Sequence, residues 1–237
     1  MKLICLFFIV FLSLHSTAQK TTEPKILIGY NFSPDYNFRT LKNIDGTASS
    51  EVVIKSRNDI EVAKFGYTTG LNVNFNASHC LAFETGIQFS NNGYQTKNQE
   101  LSYEIPDDQA PSKAKFIYSY QYLGIPLKAK FSFGKSKVRF ISGVGFITNF
   151  LVNEKQKIKY EYLSGREETK VESINSELNK INIVPIISVG IDYKICSKIH
   201  LIAEPTFRYS LLKLKSAPIT ENLWNAGLNI GVYCGLK

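Results

Sequence analysis

The chain has 237 residues, 44% hydrophobic and 20% charged, a balance that fits neither a disordered chain nor a bundle of membrane helices. Aromatics make up 13%, an enrichment suited to strands and to membrane–water interfaces. The formal charge of +8 comes from Lys and Arg that are dispersed and often sit beside acids, so no nucleic-acid partner is expected.

The N-terminus reads as an export signal. Lys2 is followed by an unbroken apolar run from Leu3 to Leu12 and by the small-residue pattern Ser16-Thr17-Ala18. Cleavage is expected after Ala18, leaving Gln19 first, so residues 1–18 are signal peptide and 19–237 the mature domain. The apolar run is too short to cross a bilayer as a helix. No cysteine follows the cleavage site, so no lipid anchor is expected there. The best later apolar stretch, Ile181 to Ile195, is broken by Pro185, Gly190 and Asp192. The mature chain is therefore expected outside the cytoplasm, either soluble or inserted as a β-barrel.

Period-2 alternation then recurs along the chain. Lys25–Phe32 sets Ile26, Ile28, Tyr30 and Phe32 against Leu27, Gly29 and Asn31. A polar connection over Ser33–Ala63 follows, with a turn signal at Asp45-Gly46. Phe65–Phe75 and Leu81–Phe89 alternate likewise, joined by a tight turn at Asn76–Cys80, and a long connection runs from Ser90 to Lys115. Tyr118–Phe133 is the clearest segment: Leu123, Ile125, Leu127, Ala129 and Phe131 oppose Gly124, Pro126, Lys128 and Lys130. A tight turn at Gly134–Lys137 leads to Val138–Phe150, then to a Lys/Glu-rich connection over Leu151–Lys180 whose Tyr160 and Tyr162 suit strand extensions. Ile181–Ile195, a turn at Cys196–Lys198, Ile199–Tyr209, a loop over Leu211–Asn222 and Leu223–Leu236 complete the pattern.

Eight strands result, with connections alternating long and short. In an all-β, eight-stranded, antiparallel up-and-down transmembrane barrel, every long loop falls at one end. Outer-membrane barrels have that asymmetry, with short periplasmic turns and long extracellular loops. Glycines recur on the inward phase at 29, 66, 70, 86, 124, 143, 145, 190, 227 and 231. They leave room for Glu84, Lys128, Lys130, Arg139, Asp192, Glu204 and Arg208, whose mixed signs predict a luminal charge network plugging a narrow bore. Tyr30, Tyr67, Tyr118, Phe150, Tyr209 and Trp224 are expected to ring the long-loop end. Phe75, Phe131, Phe133, Phe140 and Tyr193 are expected to ring the turn end.

With these residues in hand, the chain resembles the PorT-like or "porin family" outer-membrane β-barrel domain proteins of Bacteroidetes-type bacteria. The likeness is carried by the signal ending Ser16-Thr17-Ala18-Gln19, by Tyr122-Leu123-Gly124-Ile125-Pro126-Leu127-Lys128 and by Gly143-Val144-Gly145. It spans essentially the whole mature chain and implies a cell outer-membrane location, insertion by the barrel-insertion machinery and, by family naming alone, a place in a secretion apparatus. Gly124 departs from an expected acidic residue, and the chain ends in Leu236-Lys237 without a terminal aromatic.

Site chemistry is sparse. There is no phosphate-binding glycine loop, no Gly-x-Ser-x-Gly and no His-Glu-x-x-His, so no enzyme and no cofactor are expected. As bases, His79 and His200 would need partners such as Ser78 or Glu204, which leaves a lipid-modifying barrel enzyme as one alternative. A small-solute pore and a secretion component are the others. Cys80, Cys196 and Cys234 are an odd set without metal-site spacing; a Cys196–Cys234 disulfide stands beside the reading of free, buried thiols. The expected partners are outer-membrane lipid and lipopolysaccharide, with a protein partner at the extracellular loops. The Glu154–Lys180 loop binds either a partner or the sugar phosphates of the outer leaflet, or else is a solvated charged loop.

Overall fold

The alternation becomes an inside and an outside. The computed structural model describes residues 24–104, 109–134, 136–173 and 178–236. The strands are β1 (Ile26–Asn43), β2 (Glu61–Asn76), β3 (Leu81–Thr96), β4 (Gln99–Glu100), β5 (Pro111–Phe133), β6 (Val138–Tyr162), β7 (Glu167–Ser173), β8 (Ile181–Lys194), β9 (Ile199–Tyr209) and β10 (Ile219–Leu236). One helix, α1 (Ala48–Ile60), joins β1 to β2.

Eight of these strands close a ring in the order β1, β2, β3, β5, β6, β8, β9, β10, every neighbour antiparallel. Closure between first and last strand runs from Ile26 opposite Leu236 to Asn43 opposite Ile219. Strands β4 and β7 pair with the outer parts of β5 and β6 and widen the sheet beyond the ring. Closure leaves no sheet edge within the ring, the condition a strand must meet inside hydrocarbon.

Three tight turns lie at one end. Ser78 shapes the first by accepting the backbone N–H of Cys80 and Leu81. Gly134 opens the second at φ 107°, a conformation that other residues avoid. Ile195 donates its N–H to Ile199 across the third, at 2.9 Å.

The long connections differ from expectation. Within Ser33–Ala63, β1 continues to Asn43, α1 follows, and β2 starts at Glu61. Within Ser90–Lys115, β3 continues to Thr96 and β5 starts at Pro111. Strand β6 runs on to Tyr162, the extension its tyrosines suggested, and β10 begins at Ile219. Beyond an apolar band a sheet no longer needs an apolar outer face, so strand geometry continues after the hydrophobic alternation stops.

The outward aromatics form two levels. Phe207, Trp224, Tyr36 and Phe65 make a chain of ring contacts at 5.8–6.3 Å, and Phe32, Tyr67 and Phe89 make another at 6.2 Å. Phe75, Phe131, Phe133, Phe140 and Tyr193 lie on the rungs nearest the turns. Two ring expectations are corrected. Tyr118 shares the inward phase of Tyr120 and Tyr122 and packs on Tyr94 at 4.9 Å. Tyr30, opposite Leu71 and Val232, lies inside the apolar band and not at its edge.

Buried side chains fill the bore in layers. Leu27, Ile141, Ile202 and Tyr233 cluster near the turns; Tyr94, Tyr120, Tyr122, Leu214 and Leu223 cluster near the loops. Charged residues lie between them.

Candidate functional site

Three groups of buried charges lie along the bore. In the central group, β5 places Lys128 and Lys130 two residues apart on the inward face, where a strand repeats itself. Glu84 is opposite Lys128 on β3, and Glu204 reaches in from β9. Each lysine touches both carboxylates: Lys128 at 3.1 and 3.0 Å, Lys130 at 3.1 and 3.2 Å, from Glu84 and Glu204 respectively. All four side chains are buried. Gly145 and Gly143, opposite Lys128 and Lys130 on β6, make the space. A Cβ at 145 would come 2.6 Å from the Lys128 backbone, and one at 143 would come 3.1 Å from its side chain.

Neutral groups complete this layer. The Tyr233 hydroxyl donates to Glu84 at 3.1 Å, and its ring lies 5.5 Å from the Lys130 ammonium. Asn72 donates to Asn31, Asn31 to Asn229, and Asn229 to Glu204, carrying the network across the bore. The Tyr233 ring is accommodated by Gly29, where a Cβ would stand 2.3 Å from it.

Toward the turns, Arg139 and Asp192 face each other on β6 and β8 and pair at 2.5 Å. His200 sets Nδ1 2.9 Å from the same carboxylate. Its partner is therefore Asp192, correcting the expectation of Glu204. Toward the loops, Arg208 pairs with Asp35 at 3.0 Å, and Thr68 and Ser33 donate to that carboxylate at 2.5 and 2.6 Å. Thus the seven expected luminal charges fall into three groups, not one. Asp35 is a member that the sequence reading left inside a loop. Above the central layer, Thr68, Gln88, Ser90, Asn92, Asn149 and Arg208 border a cavity of about 10 Å³, room for about one water.

A fourth group lies at the mouth. Thr47 caps α1 by accepting the Ser50 N–H at 3.3 Å, and the helix brings Arg57 over the barrel. Arg57 pairs with Glu61 at 2.7 Å and with Glu221 at 2.8 Å, and donates to the Tyr94 hydroxyl at 3.0 Å. Arg39 holds the other side of Glu61 at 2.6 Å and donates to Asn58. Burial works against the Arg57 charge, but the Glu61 hydrogen bonds and the Glu221 carboxylate outweigh it and hold its pKa above the ordinary arginine value. With Tyr118, Tyr120, Glu154, Leu178, Leu214 and Lys215, these groups surround a mouth cavity of about 250 Å³.

The remaining expected site residues stay apart. Cys80, Cys196 and Cys234 are free and exposed, which corrects both the disulfide and the buried-thiol reading. Cys234 sits opposite Ile199 on the outward phase of β10, while Cys196 belongs to the turn before Ile199. His79 is exposed in the first turn, where Ser78 serves the backbone. No cluster of three metal-ligating side chains occurs among the described residues. Ala18 and Gln19, the expected cleavage site, lie outside the described residues.

The family model described as "Outer membrane protein beta-barrel domain" matches residues 17–216. Among solved structures, the outer membrane protein OprG from Pseudomonas aeruginosa is 9% identical, with 90% of this chain and 98% of that one covered at a TM-score of 0.49. Neisserial surface protein A is 12% identical, covering 90% and 97% at 0.45. The attachment invasion locus protein Ail of Yersinia pestis is 12% identical, covering 89% and 99% at 0.32. No curated protein matches the chain.

Proposed function

Because the chain belongs to the outer membrane protein β-barrel domain family and lies in the outer membrane, we propose that it is a non-enzymatic barrel with a sealed lumen that meets its partners at its extracellular mouth. The carrying observation is the Lys128–Lys130–Glu84–Glu204 square across the bore, with one water-sized cavity above it. A barrel of about eight strands is just wide enough to be filled by side chains. Ions crossing here would have to displace paired charges that are costly to separate. The mouth supports the second half of the reading: its cavity is open outward and lined by aromatic and hydrogen-bonding groups, the mixture ligand sites favour.

The residues behind the PorT-like resemblance have a packing role in this reading. Tyr122 to Lys128 carries the luminal lysine, and Gly143 with Gly145 gives it room. They support the barrel interior and carry no argument for a secretion role. His200, held on Asp192, and His79, exposed at a turn, do not converge on a nucleophile among the described residues.

Planar-bilayer recording tests the sealed lumen. Purified wild-type protein is expected to give no steady conductance steps. A variant with Glu84, Lys128, Lys130 and Glu204 all changed to Ala is expected to conduct. Steady, ohmic wild-type conductance would overturn the reading in favour of a small-solute pore.

A further inference from the structure

We infer that the outward face of the raised β5–β6–β7 sheet docks an extended, acidic segment of a partner protein. Lys and Glu are mixed in the sequence after Phe150, but strand geometry sorts them. Gln156 is opposite Tyr118, which packs inward on Tyr94, so Lys155, Lys157 and Lys159 take the outward phase. Lys115, opposite Lys159, joins them. Thr169, Val171 and Ser173 of β7 continue that face, while Glu168 and Glu172 fall on the other. Among the described residues of these strands and β4, the acids of the outward face share one rung at the tip, where Glu100, Glu161 and Glu167 line up with Lys113.

A buried lysine marks the inner end of this face. Lys64 donates to the Ser119 hydroxyl at 2.7 Å, on the rung of Lys155, and to Asn91 Oδ1 at 3.2 Å. Gly93, opposite Ser119, leaves it room, since a Cβ there would stand 3.3 Å from the Lys64 Nζ. The other buried lysines and arginines among the described residues each pair with a carboxylate. Lys64 has only neutral acceptors, and the charge that bears on it is another lysine, Lys157. Like charges directly opposite each other, as at Lys115 and Lys159, destabilise a sheet. This face therefore concentrates positive charge that the described residues leave uncompensated. Elsewhere on the rim, the exposed Lys42 and Lys55 are the single lysines of β1 and α1.

Height and spacing select the occupant. Leu123, opposite Phe150, stands at the edge of the apolar band, and Ile117, opposite Lys157, lies six residues further along β5. That is about 20 Å of strand, which even when tilted clears a headgroup layer of about 5–8 Å. Lysines on alternate residues of β6 repeat at about 7 Å, and carboxylates on alternate residues of an extended peptide repeat at the same distance. The rings of this region, Phe116, Tyr118 and Tyr160, take the other face, so a sugar chain would find no aromatic platform here. Val171, 58% exposed, offers the apolar side of such a peptide a contact beside Lys157. The inference goes beyond the mouth-binding reading and does not rest on the sealed lumen.

The test uses the full barrel in phosphatidylcholine nanodiscs, which leave both ends accessible. The probe is a fluorescent synthetic peptide alternating Glu and Thr, set against an isomer of the same composition with its glutamates in one block. Fluorescence anisotropy reads binding. Wild type is expected to bind the alternating peptide more tightly than the block isomer. Lys155→Gln with Lys157→Gln is expected to weaken that binding about ten-fold, while Lys42→Gln with Lys55→Gln leaves it unchanged. The heat-dependent gel shift of a closed barrel checks folding of each variant. No binding by wild type, equal binding of the two isomers, or an unchanged Lys155/Lys157 double variant would each overturn the inference. Displacement of the alternating peptide by dextran sulfate more effective than by unlabelled peptide, at equal charge, would overturn it in favour of an anionic glycan. None of these outcomes bears on conductance, so the two proposals can fail separately.

Discussion

At the scale of single residues, balance matters more than the number of ion pairs in the bore. Glu204→Gln would leave Lys128 and Lys130 facing Glu84 alone, one positive charge in excess in a buried layer. Removing one partner of a buried pair costs about 3–5 kcal/mol, and the unfolding midpoint in urea is expected to fall accordingly. Adding Lys128→Met to that variant restores charge balance through the remaining Lys130–Glu84 contact at 3.1 Å, and most of the loss should return. A double variant as unstable as the single one would mean that shape, not charge, holds the layer. Tyr122 makes the opposite case. Its hydroxyl is buried and has no hydrogen-bond partner among the described residues, so Tyr122→Phe should raise stability by about 1 kcal/mol; a lower midpoint would reveal an ordered water on that oxygen. The luminal charges themselves were legible, because each lies on the inward phase of a segment whose outward phase is apolar. Their partners were not. Asp35 continues the phase of Leu27, Gly29 and Asn31, with Pro34 and Tyr36 continuing the other face, yet a run of polar residues with a proline reads as a loop unless the parity is carried through it. Arg39, Arg57, Glu61 and Glu221 were hidden more deeply, since they meet only through strands and a helix built from stretches without apolar alternation.

At the scale of elements, legibility tracked how closely a strand coincides with the apolar band. Strand β9 was read at both ends, and β8 to within a residue, because neither is carried far beyond that band. Strands β1, β3, β5 and β6 were cut short because their outer halves face water on one side and a polar mouth on the other. Helix α1 gave no period at all: ASSEVVIKSRNDI is polar nearly all round and buries only Ser50. Its order must come from its ends. At the start, Asp45 accepts the Thr47 N–H at 3.0 Å and the Ser50 hydroxyl at 3.0 Å; at the other end Arg57 is tied to Glu61 and Glu221. The Thr47 N–H, with the Ser50 and Thr47 hydroxyls, holds the Asp45 carboxyl below the ordinary aspartate range despite desolvation acting the other way. A carboxyl whose folded pKa is depressed stabilises above its unfolded pKa and loses that contribution as pH falls through the folded one. Amide protection in the first turn of α1, taken relative to the intrinsic exchange rate at each pH, should therefore fall as the solution is acidified below the ordinary aspartate range. Asp45→Asn should flatten that dependence while the strand amides of β1 stay protected. A wild-type helix start indifferent to acid would show that the Arg57 end alone holds the element.

At the scale of the whole molecule, the strongest asymmetry is between the two ends of the ring. Three tight turns close one end, and at the other the strands rise past the aromatic girdle into a polar, helix-capped mouth. Outer-membrane barrels place short turns in the periplasm and long connections outside, so the turn end is expected in the periplasm and the Arg57 mouth outside. The described residues carry their own reporters of that direction. Cys80, Cys196 and Cys234 are exposed and free, and all three stand at the turn end. A polymer-tethered maleimide too bulky for outer-membrane pores should leave them unmodified on intact cells and label them once the outer membrane is opened. A single cysteine introduced at Ser164, in the loop between β6 and β7, should react in the reverse order of access, already on intact cells. The two results are coupled by the fold, because an up-and-down ring cannot turn one end without the other. Labelling of the native thiols on intact cells would therefore invert the whole assignment at once, moving the Arg57 mouth to the periplasmic side.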